Sequence, residues 1–564
     1  MRTSSQFFIQ FIRLAGPFWQ SENKNTIRGL SLGLIVLTAL QIAISVIVTE
    51  WSANLFDALE QRSMTRLFTQ IGLIILIFAA NMAVTAAHLV VKRRLQLDWR
   101  KWLTERMIGR WMFNGRHYLV THIEGQHDNP DGRIAEDIRI ATEYALDLLH
   151  TLLFCTLLLI SFTSILWKLS GTITLNLGLF SIPVEGHLVM LALMYAASAS
   201  ILGWWIGRPL TTATDNRQTV EANFRFALVK ARENAQAIAL IKGENHENPH
   251  FMQLFGGIVA AWNEQTKSWA RIIMFSSGYS VLSMAFPILV SAPRYILGSI
   301  TLGTLMQSAQ AFQQLVSSLS WPVDNMGKVA EWRASVERVL GLSKALEQLE
   351  REIAKPDPHR IRLVKGSEGI LAFRDLCISR LDGIVCVSYL NQEIMAGEHI
   401  LIDGNAFTGN KLFKAIAGVW PWGEGSIELP GDESLFFMPP RPYLPTDTLR
   451  AAICYPYESS IFDESALEDA FLLAGVKDLY RLLDESGDWG KNLEREQQQR
   501  LGMVRLILQK PKWILMQDAF ASLDPKEELA MVNLIHKLLP NATTLIISKQ
   551  PAIQALHQRK ITLC

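Results

Sequence analysis

The first half of the chain alternates long apolar runs with basic, polar stretches. Apolar runs lie at about Ile27–Val48, Ile71–Val91, Leu146–Trp167, His187–Ile206 and Ile272–Val290. Each has roughly the 20 residues that cross a hydrocarbon core, and with a weaker sixth they predict six membrane-spanning helices. A sixth, weaker run at Ile300–Leu319 carries Gln307, Gln310, Gln313 and Gln314. It reads either as a sixth span whose polar side faces a bundle interior or water-filled path, or as a soluble helix.

The basic residues orient these spans. Lys92, Arg93, Arg94, Arg100, Lys101, Arg106 and Arg110 follow the second. Arg208, Arg217, Arg225, Lys230, Arg232, Lys242, Lys267 and Arg271 separate the fourth from the fifth. Ser170–Gly186 has neither Lys nor Arg, and its TITLNLGLF alternates polar with apolar, which suits a small hairpin. The basic stretches, and with them both termini, are therefore expected on the cytoplasmic side. They are long enough to carry the helices past the bilayer.

From Leu346 to Arg362 the composition turns charged, with Pro356 and Pro358, and reads as a linker. Short β-like runs follow at Gly369–Phe373, Ile384–Leu390 and His399–Ile402, alternating with helical segments, the signature of an α/β domain. The division expected is a membrane domain at 1–345, a linker at 346–365 and an α/β domain at 366–564.

Composition agrees with a half-membrane chain: 564 residues, 49% of them hydrophobic. A net charge of +1 implies no nucleic-acid partner. Cys155, Cys377, Cys386, Cys454 and Cys564 suggest neither a disulfide framework nor a zinc site. The N-terminal MRTSSQFFIQFIRLAGPFW lacks a cleavable signal layout, so the first span is expected to remain as an anchor.

Two stretches carry the chemistry. In GNAFTGNKLFKAIAG, Gly404 and Gly409 have the spacing of the phosphate-cradling GxxxxGK[ST] loop. Asn410 stands where Lys belongs, Lys411 where Ser or Thr belongs, and Leu412 follows with no hydroxyl for a metal. The expected order is strand LID, loop, then helix KAIAGVW, with one residue missing before the helix. The second stretch, Leu493–Asp524, reads as a polar helix start, an amphipathic helix, a basic turn and the apolar strand Trp513–Met516, ending in Gln517 and Asp518.

This second stretch resembles the C-terminal half of an ABC-transporter nucleotide-binding domain. Gln498, Gln499, Arg500 and Leu501 match its QQRL; Ser522, Leu523 and Asp524 match its turn. The resemblance implies ATP and Mg²⁺ as cofactors, and assigns slots in which this chain differs. Glu494 and Glu496 occupy the signature Ser and Gly positions that meet the γ-phosphate at a helix start. A carboxylate ~4 Å from a phosphate charge costs about 4 kcal/mol at an effective dielectric near 20. Gln517 stands in the slot of the Mg²⁺-positioning Asp, Asp518 in that of the catalytic Glu, Pro440 in that of the metal-linking Gln, and Gln550 in that of the switch His. Together these predict that hydrolysis is weak or lost.

The segments WSANLFDALEQRSMTRLF, HDNPDGRIAEDIRIATEYALDLL, EANFRFALVKARENAQAIAL and LMQSAQAFQQLVSSLSW resemble the SbmA/BacA and YddA-like bacterial transporters, relatives of the peroxisomal ABCD half-transporters. That resemblance implies a six-span α-helical membrane domain fused to an α/β P-loop NTPase-like domain, working as a homodimer in the bacterial inner membrane with the ATP-binding domain cytoplasmic. Family substrates include peptides, cobalamin and fatty acyl-CoA. Three readings stay open: ATP-driven transport, proton-coupled transport with a structural pseudo-ATPase domain, and a non-transporting regulatory subunit. For a proton path the candidates are Glu50, Asp57, Glu60, Asp147 and Glu185, against salt-bridged or solvated span ends. Arg133, Glu136 and Asp137 are expected to form an ion-pair cluster that couples domains.

Overall fold

The computed structural model describes all residues except 1, 123–128, 177–180, 355–359, 381–383, 405, 558 and 564. Contacts divide the chain into two units, Met1–Gly109 with Gln126–Ser343, and Arg110–Gly125 with Lys344–Cys564. Arg110–Gly125, which lies within the expected 1–345 domain, thus belongs by contact to the second unit.

The first unit is helical. In chain order its principal elements are α1 (Arg2–Ala15), α2 (Lys24–Glu60), α3 (Met64–Met112), α4 (Arg116–Leu119, in the second unit), α5 (Ile138–Ser170), the strands β1 (Thr172–Asn176) and β2 (Ser181–Glu185), α6 (His187–Glu233), α7 (Glu244–Ile296), α8 (Leu302–Leu319) and α9 (Met326–Ala354). Among the described residues, five helical stretches are long and apolar enough to span a membrane, those built on α2, α3, α5, α6 and α7. They contain the five apolar runs of the sequence. At 1.5 Å per residue the 49-residue α3 is about 73 Å long, more than twice the hydrocarbon thickness. The weaker sixth run forms the 18-residue α8. Its Ala311, Phe312, Leu315 and Val316 are buried in one core with Ile42 of α2, Phe162 and Leu166 of α5, and Ala192 and Tyr195 of α6. The hairpin is present as β1 paired antiparallel with β2, further along the chain than TITLNLGLF alone suggested; Leu177–Phe180 lie outside the described residues.

One element was not anticipated. The N-terminal stretch forms α1, which puts Phe7, Leu14 and Ala15 into the protein and leaves Phe8, Ile9 and Ile12 exposed. Phe7 and Phe11 meet the Trp332 ring edge-on at 5.7 and 5.2 Å, and Phe18 stacks on Trp99 at 6.0 Å. The Trp332 indole N–H donates to the Ala141 carbonyl, 3.1 Å away. Such aromatic pairs contribute about 0.5–1.5 kcal/mol each beyond area burial.

Helix α9 runs on through the charged stretch expected to open the linker, as far as Ala354; Pro356 and Pro358 lie outside the described residues. The second unit is α/β. After α9 come β3 (Arg362–Lys365), β4 (Ile370–Ser379), β5 (Val385–Met395), β6 (His399–Asp403), α10 (Ala406–Ile416), β7 (Gly423–Leu429) and β8 (Leu435–Met438). Then follow α11 (Glu464–Leu473), α12 (Arg495–Gln509), β9 (Trp513–Gln517), α13 (Pro525–Leu538), β10 (Thr543–Ile547) and β11 (Arg559–Thr562). A five-stranded sheet has the order β11-β6-β10-β9-β8 and is parallel throughout. A second, four-stranded sheet runs β3-β7-β4-β5 with antiparallel β7-β4 and β4-β5 pairs. Strand β9 is inaccessible along its length to Met516, which is why WILM is apolar without alternation.

Three histidines lie together behind this sheet. His399 stacks on His536 at 3.9 Å, and His557 meets His536 edge-on at 6.0 Å. Burial lowers the pKa of all three, His536 to about 4, with the neighbouring imidazoles adding to the effect on His536. An imidazole whose folded pKa lies below its unfolded value takes up its proton first in the unfolded chain. Its contribution is complete above about pH 6.5 and is lost as the pH falls toward 4. The melting temperature of this domain should therefore drop by a few degrees between pH 7 and pH 5. In His536→Phe, which keeps the stacking and removes the titrating imidazole, differential scanning calorimetry should show a shallower dependence.

Candidate functional site

Of the expected nucleotide-site residues, Gly404, Pro440, Gln517 and Asp518 lie at or just past the C-terminal ends of the parallel strands, where open α/β sheets usually bind ligands, while Glu494 and Glu496 lie at the start of α12. Register sets the layout. Gln517 ends β9 opposite Ile547 of β10, and Met516 pairs with Met438 of β8, which leads into Pro440. On the far side of β10, β6 ends at Asp403 beside Gly404.

The segment after β6 differs from the expected loop. Helix α10 begins at Ala406, so Gly409, Asn410 and Lys411 lie inside the helix instead of curling around a phosphate. Packing explains this. A Cβ on Gly409 would sit 2.6 Å from Ile547 Cδ1, so glycine here lets the helix close on β10. Leu412, one residue past Lys411, is fully buried in the core. Gly404 has φ 153°, a conformation glycine adopts readily.

Two expected slots are joined directly. The Asn410 amide donates from Nδ2 to Gln517 Oε1 at 2.9 Å. Lys411 turns elsewhere: its Nζ lies 2.7 Å from the Trp420 ring centroid and 5.4 Å from that of Phe407. Burial, helped by Lys414, lowers the Lys411 pKa to about 8. Trp420 and Trp422 also meet His122 at 5.3 and 5.5 Å, and Lys414 lies over the Tyr118 ring at 5.3 Å. Arg116 of α4 pairs with Glu350 at 2.8 Å. Arg110–His122 is thus held on the aromatic end of α10 by rings and cations, in contacts that separate apolar runs could not reveal.

A second group forms around the buried Gln499. Its Nε2 donates to the Pro440 carbonyl at 2.9 Å, and its Oε1 accepts from the Ser522 N–H at 3.0 Å. Pro440 therefore contributes only a backbone oxygen. Glu494 is the N-cap of α12: its carboxylate accepts from the Gln497 backbone, and the Gln497 side chain accepts from the Glu494 N–H at 3.1 Å. This is a capping box, and E-x-x-Q was the sequence signal for it. Glu496 pairs with Arg500 at 3.0 Å, which also reaches Glu527 at 3.0 Å.

Asp518 has φ 42° and donates its N–H to the Ile547 carbonyl at 2.9 Å. Burial raises its carboxyl pKa, opposed by Lys549. Burial also raises that of Glu528, which accepts from Ser548 at 3.3 Å. The Gln550 N–H donates to Ser548 Oγ at 3.1 Å. Asp524 precedes α13, and its carbonyl receives the Glu528 N–H. Among the described residues, no three His, Cys, Asp or Glu side chains come together as a metal site.

In the first unit, Asp57 and Glu60 accept from the Gly303 and Leu302 N–H groups at 2.8 and 2.9 Å. They cap the N-terminus of α8. Asp147 pairs with Lys92 at 3.1 Å and accepts from Gln96 at 3.2 Å. Glu50 and Glu185 are exposed. The expected cluster forms around buried Asp137, held by Arg133 at 3.2 Å and by Arg338 of α9 at 2.5 Å, a partner the sequence did not indicate. Glu136 is exposed beside it. The sequence also left unread a hydrogen bond of 2.7 Å between Nε2 of His88 on α3 and Nε2 of His150 on α5.

Residues 19–296 match the family model described as ABC transporter transmembrane region 2. The chain is 27% identical over 559 residues to the inner membrane ABC transporter ATP-binding protein YddA of Escherichia coli strain K12, covering 98% of this chain and 96% of that protein. It is 30% identical over 499 residues to an uncharacterized ABC transporter ATP-binding protein of Synechocystis, covering 86% and 72%. The fold matches the ATP-bound structure of a bacterial Atm1-family ABC exporter, with TM-score 0.68 and 18% identity over 95% of this chain and 94% of that one.

Lys411 offers a direct check on the α10 geometry. Its amine should be acylated by an N-hydroxysuccinimide ester with a midpoint near pH 8, against about 10.4 for an ordinary lysine. In Trp420→Leu the profile should change, as read by peptide mass spectrometry.

Proposed function

The chain belongs to the ABC transporter family, with membrane and ATP-binding domains fused in one polypeptide, and from this we propose that it is a bacterial inner-membrane half-transporter, working as a homodimer, whose ATP-binding domain clamps the dimer without hydrolysing ATP. The cargo belongs to the peptide, cobalamin-like or lipid-like range, and a proton gradient supplies the energy.

The observation that carries this reading is the Asn410–Gln517 hydrogen bond. It joins the slot of the phosphate-binding lysine to that of the metal-positioning aspartate. A hard cation such as Mg²⁺ asks for oxygen ligands. Here the Gln517 oxygen is engaged by an amide, Lys411 is stacked on Trp420, and Pro440 offers no side-chain oxygen. Asp518 is the carboxylate left beside them, in a setting whose burial favours its protonated form. These residues do not fit Mg²⁺. At α12, the Glu494 carboxylate occupies the helix start where an anion would bind.

Hydrolysis of Mg-ATP by the full chain in lipid vesicles tests the reading. Release of phosphate should not exceed that of protein-free vesicles. Turnover of about 1 per second or more, the ordinary enzyme range, would overturn it. The positive control is the variant carrying Asn410→Lys, Lys411→Thr, Glu494→Ser, Glu496→Gly, Gln517→Asp and Asp518→Glu. Uptake that survives ATP depletion and stops with an uncoupler completes the case for proton coupling.

A further inference from the structure

Two histidines meet inside the first unit, in a contact that the nucleotide site does not use. His88 lies in the apolar run of α3 and His150 in that of α5. Each is within about 6 Å of the end of its run, at 1.5 Å per residue. Their Nε2 atoms are 2.7 Å apart and their ring centroids 4.4 Å. His88 is buried and His150 half-buried, with Phe154 stacked on His150 at 6.4 Å. The Nδ1 atom of His150 is shut off from solvent and has no hydrogen-bond partner among the described residues.

Two ring nitrogens this close need a proton between them, since two bare lone pairs or two N–H groups repel. One neutral ring therefore donates from Nε2 and keeps a bare Nδ1. The other accepts at Nε2 and carries its own proton on Nδ1. The pair so has one free site, the bare Nδ1. A proton bound there makes the donor ring an imidazolium. Movement of the central proton across the 2.7 Å bond then makes the other ring the imidazolium, and that ring can release its Nδ1 proton. One proton has entered at one Nδ1 and one has left at the other, with only N–H bonds made and broken. The charged groups that act on the pair are Lys92, four residues after His88 on α3, and Asp147, three before His150 on α5. They pair with each other at 3.1 Å, and Asp147 also accepts from Gln96 at 3.2 Å. A carboxylate set directly on an imidazolium would hold the proton in an ion pair. Here that carboxylate is engaged elsewhere, and the proton stays releasable.

We propose that His88 and His150 form a two-ring proton relay, which takes up one proton at one Nδ1 and passes one on from the other. Paired ionisable side chains within spans are a recurring mark of proton paths, and histidine gains and loses a proton near neutral pH. The carboxylates expected for such a path are otherwise placed: Asp57 and Glu60 cap α8, Asp147 is ion-paired, and Glu50 and Glu185 are exposed. With its Nδ1 shut off, His150 closes one end of the relay in this conformation. A proton passes on only when the surrounding helices move, whereas a relay open at both ends would dissipate a gradient. The relay deepens the proton-coupled reading by naming residues that carry the proton, and rests on that reading only for assigning the proton to transport.

The test is nitrogen NMR on the full chain in lipid nanodiscs, with its histidines isotope-labelled. At about pH 8 the two rings should show a nitrogen–nitrogen coupling through the central hydrogen bond. As the pH is lowered to about 4, both rings should titrate in one shared step, each moving about half of the full imidazole-to-imidazolium change, with the coupling kept. In His88→Gln or His150→Gln, which keeps an amide within hydrogen-bond reach, the remaining ring should titrate alone and completely, without the coupling. A purely structural pair would not titrate. Rings that stay unprotonated over this range, titration of one ring only, or full independent protonation of both would each overturn the relay. The coupling itself identifies the two rings, so the native chain decides even where a variant does not fold. Sensitivity of uptake to an uncoupler is measured separately. Uptake that ignores the uncoupler removes the transport role and leaves the shared proton standing, so the two failures are told apart.

Discussion

A polar group taken out of water has to find a partner inside the protein, and this requirement organises both units. In the second unit, Asn410 finds Gln517, Gln499 bridges Pro440 and Ser522, and Glu494 satisfies the start of α12. In the first, Asp57 and Glu60 satisfy the start of α8, and Asp137 is held by two arginines. Each bond contributes modestly, about 0.5–1.5 kcal/mol net when neutral and more when charged. Losing one partner costs more than the bond contributed, because the other remains buried and unpaired. The expected nucleotide-site positions Asn410, Gln517 and Glu494 are thereby drawn into the protein's own network.

The architecture was legible because its signals are long and apolar. The five long apolar runs fall in helices long and apolar enough to span a membrane, and the continuous WILM strand follows from burial on both faces. The hairpin and the α/β alternation were readable from short-range pattern. Less visible was anything that depends on which residues meet. Arg338 reaches Asp137 across 201 positions of sequence, and His88 meets His150 across 62. Helix α1 was missed because its apolar residues mark one face of a short helix, not a continuous run.

The candidate site differs in shape from the linear motif that suggested it. The glycine spacing of Gly404 and Gly409 suggested a loop, yet Gly409 serves the approach of α10 to Ile547. Glu494 looked like a charge set against a phosphate; in the fold it caps a helix. Both readings follow from the same electrostatics, since a helix start that attracts a phosphate attracts a carboxylate equally. What the linear motif did not show was the cap itself.

The same requirement bears on the polar helix α8 of the first unit. Glutamine is an expensive residue at membrane depth, and α8 has an apolar face that would pack without it. Asp57 and Glu60 fix the start of that helix, which in turn fixes which face turns toward α2 and α3. The fold thus commits two carboxylates to holding α8 in place, and α8 presents neutral amides where hydrocarbon would have been cheaper.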